Sequence, residues 1–360
     1  MRCSRPLPLL PLLLLSGCAA GELPVAVVDN PEYSVATGMR FLERGQYGPA
    51  LAEFERARVL NEKLVPPYLG IALTKAHIGD AASAMAALDE ARQRDGAAVH
   101  AAAIRVLALL RPPRWLEEAE REFEAGRGRS ARDPELLLAM GRAYKAAFAF
   151  EKAAALLRQV LALNRGLEEE AVEEVRILEM VQRAAPVSEI AKRVALKSQV
   201  TRGALAALLV EEVGWLTLPE VVRRPPEPAM AYPFAADLED SPHRQAVEAL
   251  LKRPLRGLRL FPDQTFAPDQ VVSRDVFAII LEDILLRVKG DDLRAAVLPA
   301  GASPFSDLPA DHFAFSAALL LTRGGILEGR PDGRFGPRES VRGPEALVAL
   351  RRLREVLQAP

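Results

Sequence analysis

Apolar and polar positions alternate with different periods along the 360-residue chain. Leu7–Leu15 is almost wholly apolar, directly behind Arg2 and Arg5. From residue 31 to residue 184, apolar residues return every three or four positions, the spacing of amphipathic helices that bury one stripe. Leu167, Ala171, Val175, Leu178 and Val181 form the last such stripe, opposite Glu168, Glu169, Glu170, Glu173 and Glu174. That division predicts a solvating cap helix with a water-facing acidic side. Residues 217–233 are rich in proline, including Pro225-Pro226-Glu227-Pro228, and predict a stiff connector. Beyond it the helical pattern resumes, now broken by Gly-, Pro- and Asp-rich turns.

The first helical region repeats itself. Gly45, Ala50, Phe54 and Ala57 return 34 residues later as Gly79, Ala84, Leu88 and Ala91, and Ala119 and Phe123 return as Ala153 and Leu157. Four copies follow, at 31–64, 65–98, 99–133 and 134–165, the third degenerate, with a one-residue insertion near Arg111-Pro112-Pro113-Arg114. The small residues Ala50, Ala84, Ala119 and Ala153 let two helices approach, and the larger residue one turn on fills the space beside them. One such pair cannot bury its apolar face, so the copies must stack into a solenoid over 31–184. The period, with Gly38 and Phe41, Tyr68 and Ala72, and Gly141 and Tyr144 on the first helices, resembles the tetratricopeptide repeat. The resemblance implies a concave surface for a protein or peptide partner; the other reading of the same shape is a spacer.

Charge and cysteine usage narrow the chemistry. The net charge of −1 argues against nucleic acid, which demands a basic surface. The two cysteines are Cys3 and Cys18. The apolar run is too short to span a bilayer, which takes about 20 residues, and reads as a removable signal. Leu15-Ser16-Gly17-Cys18-Ala19 resembles a bacterial lipobox. That resemblance implies removal of residues 1–17, palmitate-type acylation of Cys18, and, with Ala19 rather than Asp next, the periplasmic face of the outer membrane. A mature chain without a second thiol has neither an internal disulfide nor a cysteine metal site. His77, His100, His243 and His312 lack metal-site spacing, and no nucleophile elbow, phosphate loop or dinucleotide fingerprint occurs. No enzyme, cofactor or metal is expected.

Two C-terminal segments are alike, at 234–290 and 303–357. The first reads Phe234-Ala-Ala-Asp237, His243, Gly257, Asp263-Gln264-Thr-Phe266-Ala-Pro268 and Ser273-Arg274; the second reads Phe305-Ser-Asp307, His312, Gly325, Gly329-Arg-Pro331-Asp332-Gly333-Arg-Phe335-Gly-Pro337 and Val341-Arg342. A partial copy at 187–216 keeps the end of the motif, Val200-Thr201-Arg202. Gly257 and Gly325 suit left-handed helix ends, and Pro331-Asp332-Gly333 is turn chemistry. Phe266 and Phe335 anchor the loops, while Asp263, Gly329, Asp332 and Gly333 shape them. Thr201 and Ser273 are cap residues for helices that bury Val276, Phe277, Ile280 and Leu281 in the second copy. The pattern resembles S-layer homology repeats, three of which form a pseudo-threefold helical unit. In that family the arginine helps bind acidic cell-wall glycan, which makes Arg202, Arg274 and Arg342 the candidate glycan residues; pairing with acids such as Asp237 or Asp307 is the structural reading. The family's Glu is replaced by Ala204, Val276 and Pro344 when Val341-Arg342 is aligned with Ser273-Arg274.

The expected protein is all-α and non-catalytic. It is a lipid-anchored envelope scaffold with a repeat solenoid for an unidentified protein partner and a module for peptidoglycan or an acidic wall polymer. The rival is an assembly or adaptor lipoprotein of a secretion, pilus or outer-membrane machine, its C-terminal module purely structural.

Overall fold

The computed structural model describes residues 30–94, 98–219, 235–290, 293 and 303–358. Cys18, the leader at 1–17, Phe234 and residues 220–233 of the connector lie outside the described residues. Among the described residues the fold is all-α, and the only extended pairings are isolated bridges, Thr201 with Val271 and Ser273 with Ser340. The chain divides into two compact units between Trp115 and Leu116.

The first unit holds α1 (Pro31–Glu43), α2 (Tyr47–Leu60), α3 (Val65–His77), α4 (Ala81–Arg92) and α5 (Val99–Leu110). Local chemistry starts and stops them. The Asn30 side chain accepts the Glu32 and Tyr33 amides, and Asp80 accepts that of Ser83. Gly45 and Gly79, at φ 70° and 81°, turn the chain where each first helix ends. Ala50, Ala84, Phe54 and Leu88 are fully buried, as the repeat pattern requires. Phe54 does more than fill the space beside Ala50. Its ring lies across the backbone of both Gly38 on α1 and Gly70 on α3; a Cβ added at Gly38 would stand 2.7 Å from the ring. Glycine at both places lets one side chain join two consecutive helix pairs.

The second unit holds α6 (Trp115–Arg129), α7 (Pro134–Ala146), α8 (Phe150–Leu163), α9 (Glu168–Ala184), α10 (Glu189–Ala195) and α11 (Arg202–Glu211), then α12 (Arg244–Leu251), α13 (Arg274–Lys289), α14 (Phe315–Arg323) and α15 (Gly343–Gln358). Gly141 on α7 meets Leu157 on α8 with a prospective Cβ gap of 3.0 Å, the same glycine-to-bulky contact as before.

Helix α9 buries its expected stripe, Ala171, Val175, Leu178 and Val181, but it is not a solvating cap. It packs on α8 and also on α15, and Val181 and Ala184 belong to one continuous core that runs to Leu357. Arg351 on α15 donates to the Arg183 carbonyl at 2.7 Å. The acidic side stays solvated at Glu169, Glu170 and Glu173, as expected, while Glu170 and Glu174 are also engaged by α7. Glu174 accepts Arg142 Nε at 2.6 Å and Lys145 Nζ at 2.5 Å, and Glu170 accepts Arg142 Nη2 at 2.8 Å. These pairs fasten α7 to α9.

Candidate functional site

The C-terminal module is organised around three backbone segments bonded in a cycle. The Val200 N–H donates to Val341 at 2.9 Å, Val341 N–H to Val272 at 3.0 Å, and Val272 N–H to Val200 at 2.9 Å. A long helix starts two residues after each valine: α11, α13 and α15. Each long helix packs against the short helix of the next repeat, α11 on α12, α13 on α14, and α15 back on α10. The ring is therefore closed and pseudo-threefold. The first repeat is a full member of it, with both helices, although its chain lacks the glycine-rich loop.

The loops of the other two repeats are built alike. Asp237 accepts the amides of Phe266 and Ala267 at 2.8 and 2.6 Å, and Asp307 accepts those of Phe335 and Gly336 at 2.7 and 2.8 Å. So the motif aspartates hold backbone, with the phenylalanine beside them fully buried. Asp263 closes its turn on the Thr265 amide and hydroxyl, and Asp332 on the Arg334 amide and guanidinium. These bonds hold both carboxyls below the usual carboxylate range. Gly333 at φ 78° has its counterpart in Gln264 at φ 65°, a left-handed glutamine that pays the strain glycine avoids. Gly329 lies in the same loop with no side chain crowding it.

Two motif arginines lock these loops from within. Arg202 donates through Nε to Phe266 at 2.8 Å, Nη1 to Gly257 at 2.6 Å and Nη2 to Arg259 at 2.8 Å, all carbonyls of the second repeat. Its guanidinium lies 4.8 Å from the Phe261 ring centre and 4.7 Å from that of Phe266. Arg274 repeats the arrangement one repeat on, reaching the carbonyls of Phe335 and Glu328 at 2.9 Å and pairing with Glu345. Both are buried, at 6% and 1% exposure. Burial draws the Arg202 guanidinium below its ordinary value, and burial followed by the neighbouring Arg330 draws Arg274 down to about 10, still charged at neutral pH.

The third repeat is in a different register from the one its arginine suggests. Arg274 stands eight residues after Phe266, and the residue eight after Phe335 is Gly343. Helix α15 begins there, so Arg342 occupies the cap position of Thr201 and Ser273, and Gly343 the arginine position. A side chain at Gly343 would collide with the Val194 carbonyl, and its N–H donates to Lys197 at 2.9 Å. Copy one has no loop to clasp, and its backbone fills the arginine's place. The same shift puts Glu345, not Pro344, at the family's glutamate position, where it pairs with Arg274 and lies 3.7 Å from Arg330. Arg342 is exposed and has no polar partner among the described residues. Of the predicted caps, Thr201 accepts the Ala204 amide at 3.3 Å, whereas Ser273 turns its hydroxyl to Asp275.

Residues 304–346 match the family model of the S-layer homology domain. A 96-residue stretch is 32% identical to Cell surface glycoprotein 1 of Acetivibrio thermocellus, covering 26% of this chain and 4% of that protein. The chain thus spans a small fraction of the relative's length. The S-layer homology domain associates the chain with the cell surface. The matched segment contains Asp307, the Asp332–Gly333 turn, Phe335 and the ring valine Val341, the features that build the third repeat. Residues that sequence reasoning assigned elsewhere are the loop-holding Asp237 and Asp307 and the glutamate at 345. The fixed distance from each loop phenylalanine to its helix start carried that signal. Among the described residues no helix is long and apolar enough to cross a membrane.

Proposed function

We propose that the chain is a non-catalytic envelope scaffold whose C-terminal ring holds peptidoglycan or an acidic wall polymer and whose tetratricopeptide-like helix pairs take a protein partner. Acylated Cys18 anchors the other end in the outer membrane, on its periplasmic face. The observation that carries the reading is the closed three-membered ring around Val200, Val272 and Val341, coinciding with the S-layer homology match. In this reading Arg202 and Arg274 shape the surface and do not themselves touch polymer. Glycine-seated Phe54 and Leu157 keep the helix pairs in register, and the partner lies on their exposed sides.

The test is co-sedimentation of the full chain, carrying Cys18→Ser to remove lipid, with purified sacculi. Pelleting that falls as salt rises is expected; a chain that stays in the supernatant at low salt removes the wall-holding role. The engagement of Arg202 and Arg274 inside the protein is what favours the rival, an adaptor of a secretion, pilus or outer-membrane machine with a structural ring, and the same negative result would select it. Metabolic labelling with palmitate, lost in Cys18→Ser, tests the anchor. In-cell cross-linking from the first-helix faces tests partner recruitment over spacing.

A further inference from the structure

We infer that the cleft between the end of α9 and the second half of α15 is a binding site for a small amphiphilic carboxylate, an apolar body that carries one carboxylate group. The site is independent of the wall-holding reading and lies away from the loops. Those loops are clasped by Arg202 and Arg274 at the starts of the long helices. The cleft is closed instead by helix ends: Glu212 is the C-terminal cap of α11, and Arg351, Arg354 and Glu355 come from the second half of α15. Its volume is about 320 Å³, at the lower end of the range in which small-molecule sites fall.

One wall of the cleft is apolar. Leu347 and Leu350, both buried, form a floor with Ala184 at the end of α9. Val187 forms the rim and is 74% exposed, a branched apolar side chain left in water. Its backbone is nevertheless fixed. Ala185 turns left-handed at φ 46°, Pro186 sets the next step, and the Ser188 N–H donates to Glu212 Oε1 at 2.8 Å. A ligand that covered Val187 and the floor would remove this apolar surface from water, with little loop ordering to oppose it.

The other wall supplies cations that are oriented but not used up. Arg351 donates Nη1 to the Arg183 carbonyl at 2.7 Å and Nε to Glu355 at 3.0 Å. Arg354 donates Nη1 to the Glu212 carbonyl at 3.3 Å and has no carboxylate partner among the described residues. Each guanidinium is thus held at the carbonyl end of a helix, Arg351 at α9 and Arg354 at α11. Arg354, half-buried, keeps donors for a forked pair with a carboxylate. The acids of the cleft are engaged already, Glu212 by the Ser188 amide and Glu355 by Arg351. A polymer charged along its length would leave the apolar floor bare, and a wholly apolar ligand would leave the Arg354 fork unmatched. An apolar body with one carboxylate satisfies both walls.

The experiment is calorimetric titration of the full chain, in the Cys18→Ser background, with N-acetyl-Ala-Leu, its C-terminal amide and octanoate. At least one of the two carboxylates should bind, and the amide should bind about tenfold or more weakly than the peptide acid, the size of one lost charge-assisted contact. Tighter binding of the peptide acid identifies a peptide end as the ligand's source, and tighter binding of octanoate identifies a fatty acid. Binding of neither carboxylate overturns the inference, and so does equal binding of peptide acid and amide. Val187→Glu, at an exposed position, sets a competing carboxylate on the rim and should weaken binding about tenfold with the melting temperature unchanged; unaltered affinity overturns the site. Arg354→Met should bind acid and amide equally weakly, a loss of discrimination that a merely structural role does not produce, and a retained preference for the acid overturns the role of the fork. Lys252→Gln, exposed at the end of α12, should bind as the parent does.

Discussion

Replacing Arg202 by Met, a side chain of similar length and no charge, should destabilise the C-terminal unit sharply. The substitution leaves the carbonyls of Phe266, Gly257 and Arg259 without the donors that now reach them at 2.6 to 2.8 Å. Each orphaned buried acceptor costs about 1 kcal/mol or more. The lost stacking against Phe261 and Phe266 adds roughly 0.5–1 kcal/mol. Relief from keeping a guanidinium out of water returns part of this, so the net loss is about 3 kcal/mol. With a urea dependence of about 3 kcal/mol per molar, the midpoint should fall by about 1 M. Trp215 is fully buried in the same core and donates to the Arg253 carbonyl at 3.2 Å, which makes its fluorescence the readout once Trp115, the other of the 2 tryptophans, is changed to Phe. Arg202→Lys should recover little, since an ammonium cannot reproduce a three-way fork. A midpoint for Arg202→Met within about 0.3 M of the parent would refute the clasp as a source of stability.

Three further outcomes follow from contacts already described. Gly70→Ala sets a methyl against the Phe54 ring and should cost about 1–3 kcal/mol despite the helix propensity gained; adding Phe54→Leu should recover much of it, as read by thermal unfolding of the pair. Asp307→Ala removes the acceptor for two amides of the third loop and should cost about 2–4 kcal/mol in urea titrations, with Asp237→Ala behaving alike in the second. His243 packs beside Gly203 with Arg193, Asp269 and Glu211 around it, and burial, then Arg193, lower its pKa. The unfolded chain takes up that proton near the ordinary value of 6.5 while the folded one resists it, so stability should fall as pH drops below that value and level off beneath the folded pKa. A His243→Gln variant with an unchanged pH profile between 7 and about 5 would remove this histidine as the cause.

Much of this architecture was legible from spacing. The 34-residue offsets named the buried alanines and their bulky partners, and the loop residues Phe266, Phe335, Asp263 and Asp332 stand where turn chemistry puts them. The third repeat was misaligned because the identity of an arginine was weighed above its distance from Phe335. Sterics decide otherwise, since only glycine fits against Val194 at that point. Gly70 escaped notice because its partner Phe54 belongs to the preceding copy, and a period search compares like positions rather than touching ones. The role of α9 was hidden for a different reason. An apolar stripe shows that a face is covered and says nothing of what covers it; here α8 and α15 share the task.

Closure of the ring also dictates when it can exist. Gln199 and Ser340 meet across a separation of 141 residues, and the valine cycle lacks two of its three bonds until Val341 is present. Bringing such distant segments together carries a loop entropy of about 4 kcal/mol that is repaid only when α15 docks on α10 and α9 at once. Assembly of the module is thus a late, single event governed by the last stretch of α15 and its approach. A chain halted just before Val341 would display α10, α13 and the flank of α9 as bare apolar surface, a ready target for quality-control proteases. Slow, long-range closure of this kind makes the final helix the step that commits every copy of the protein to its finished form.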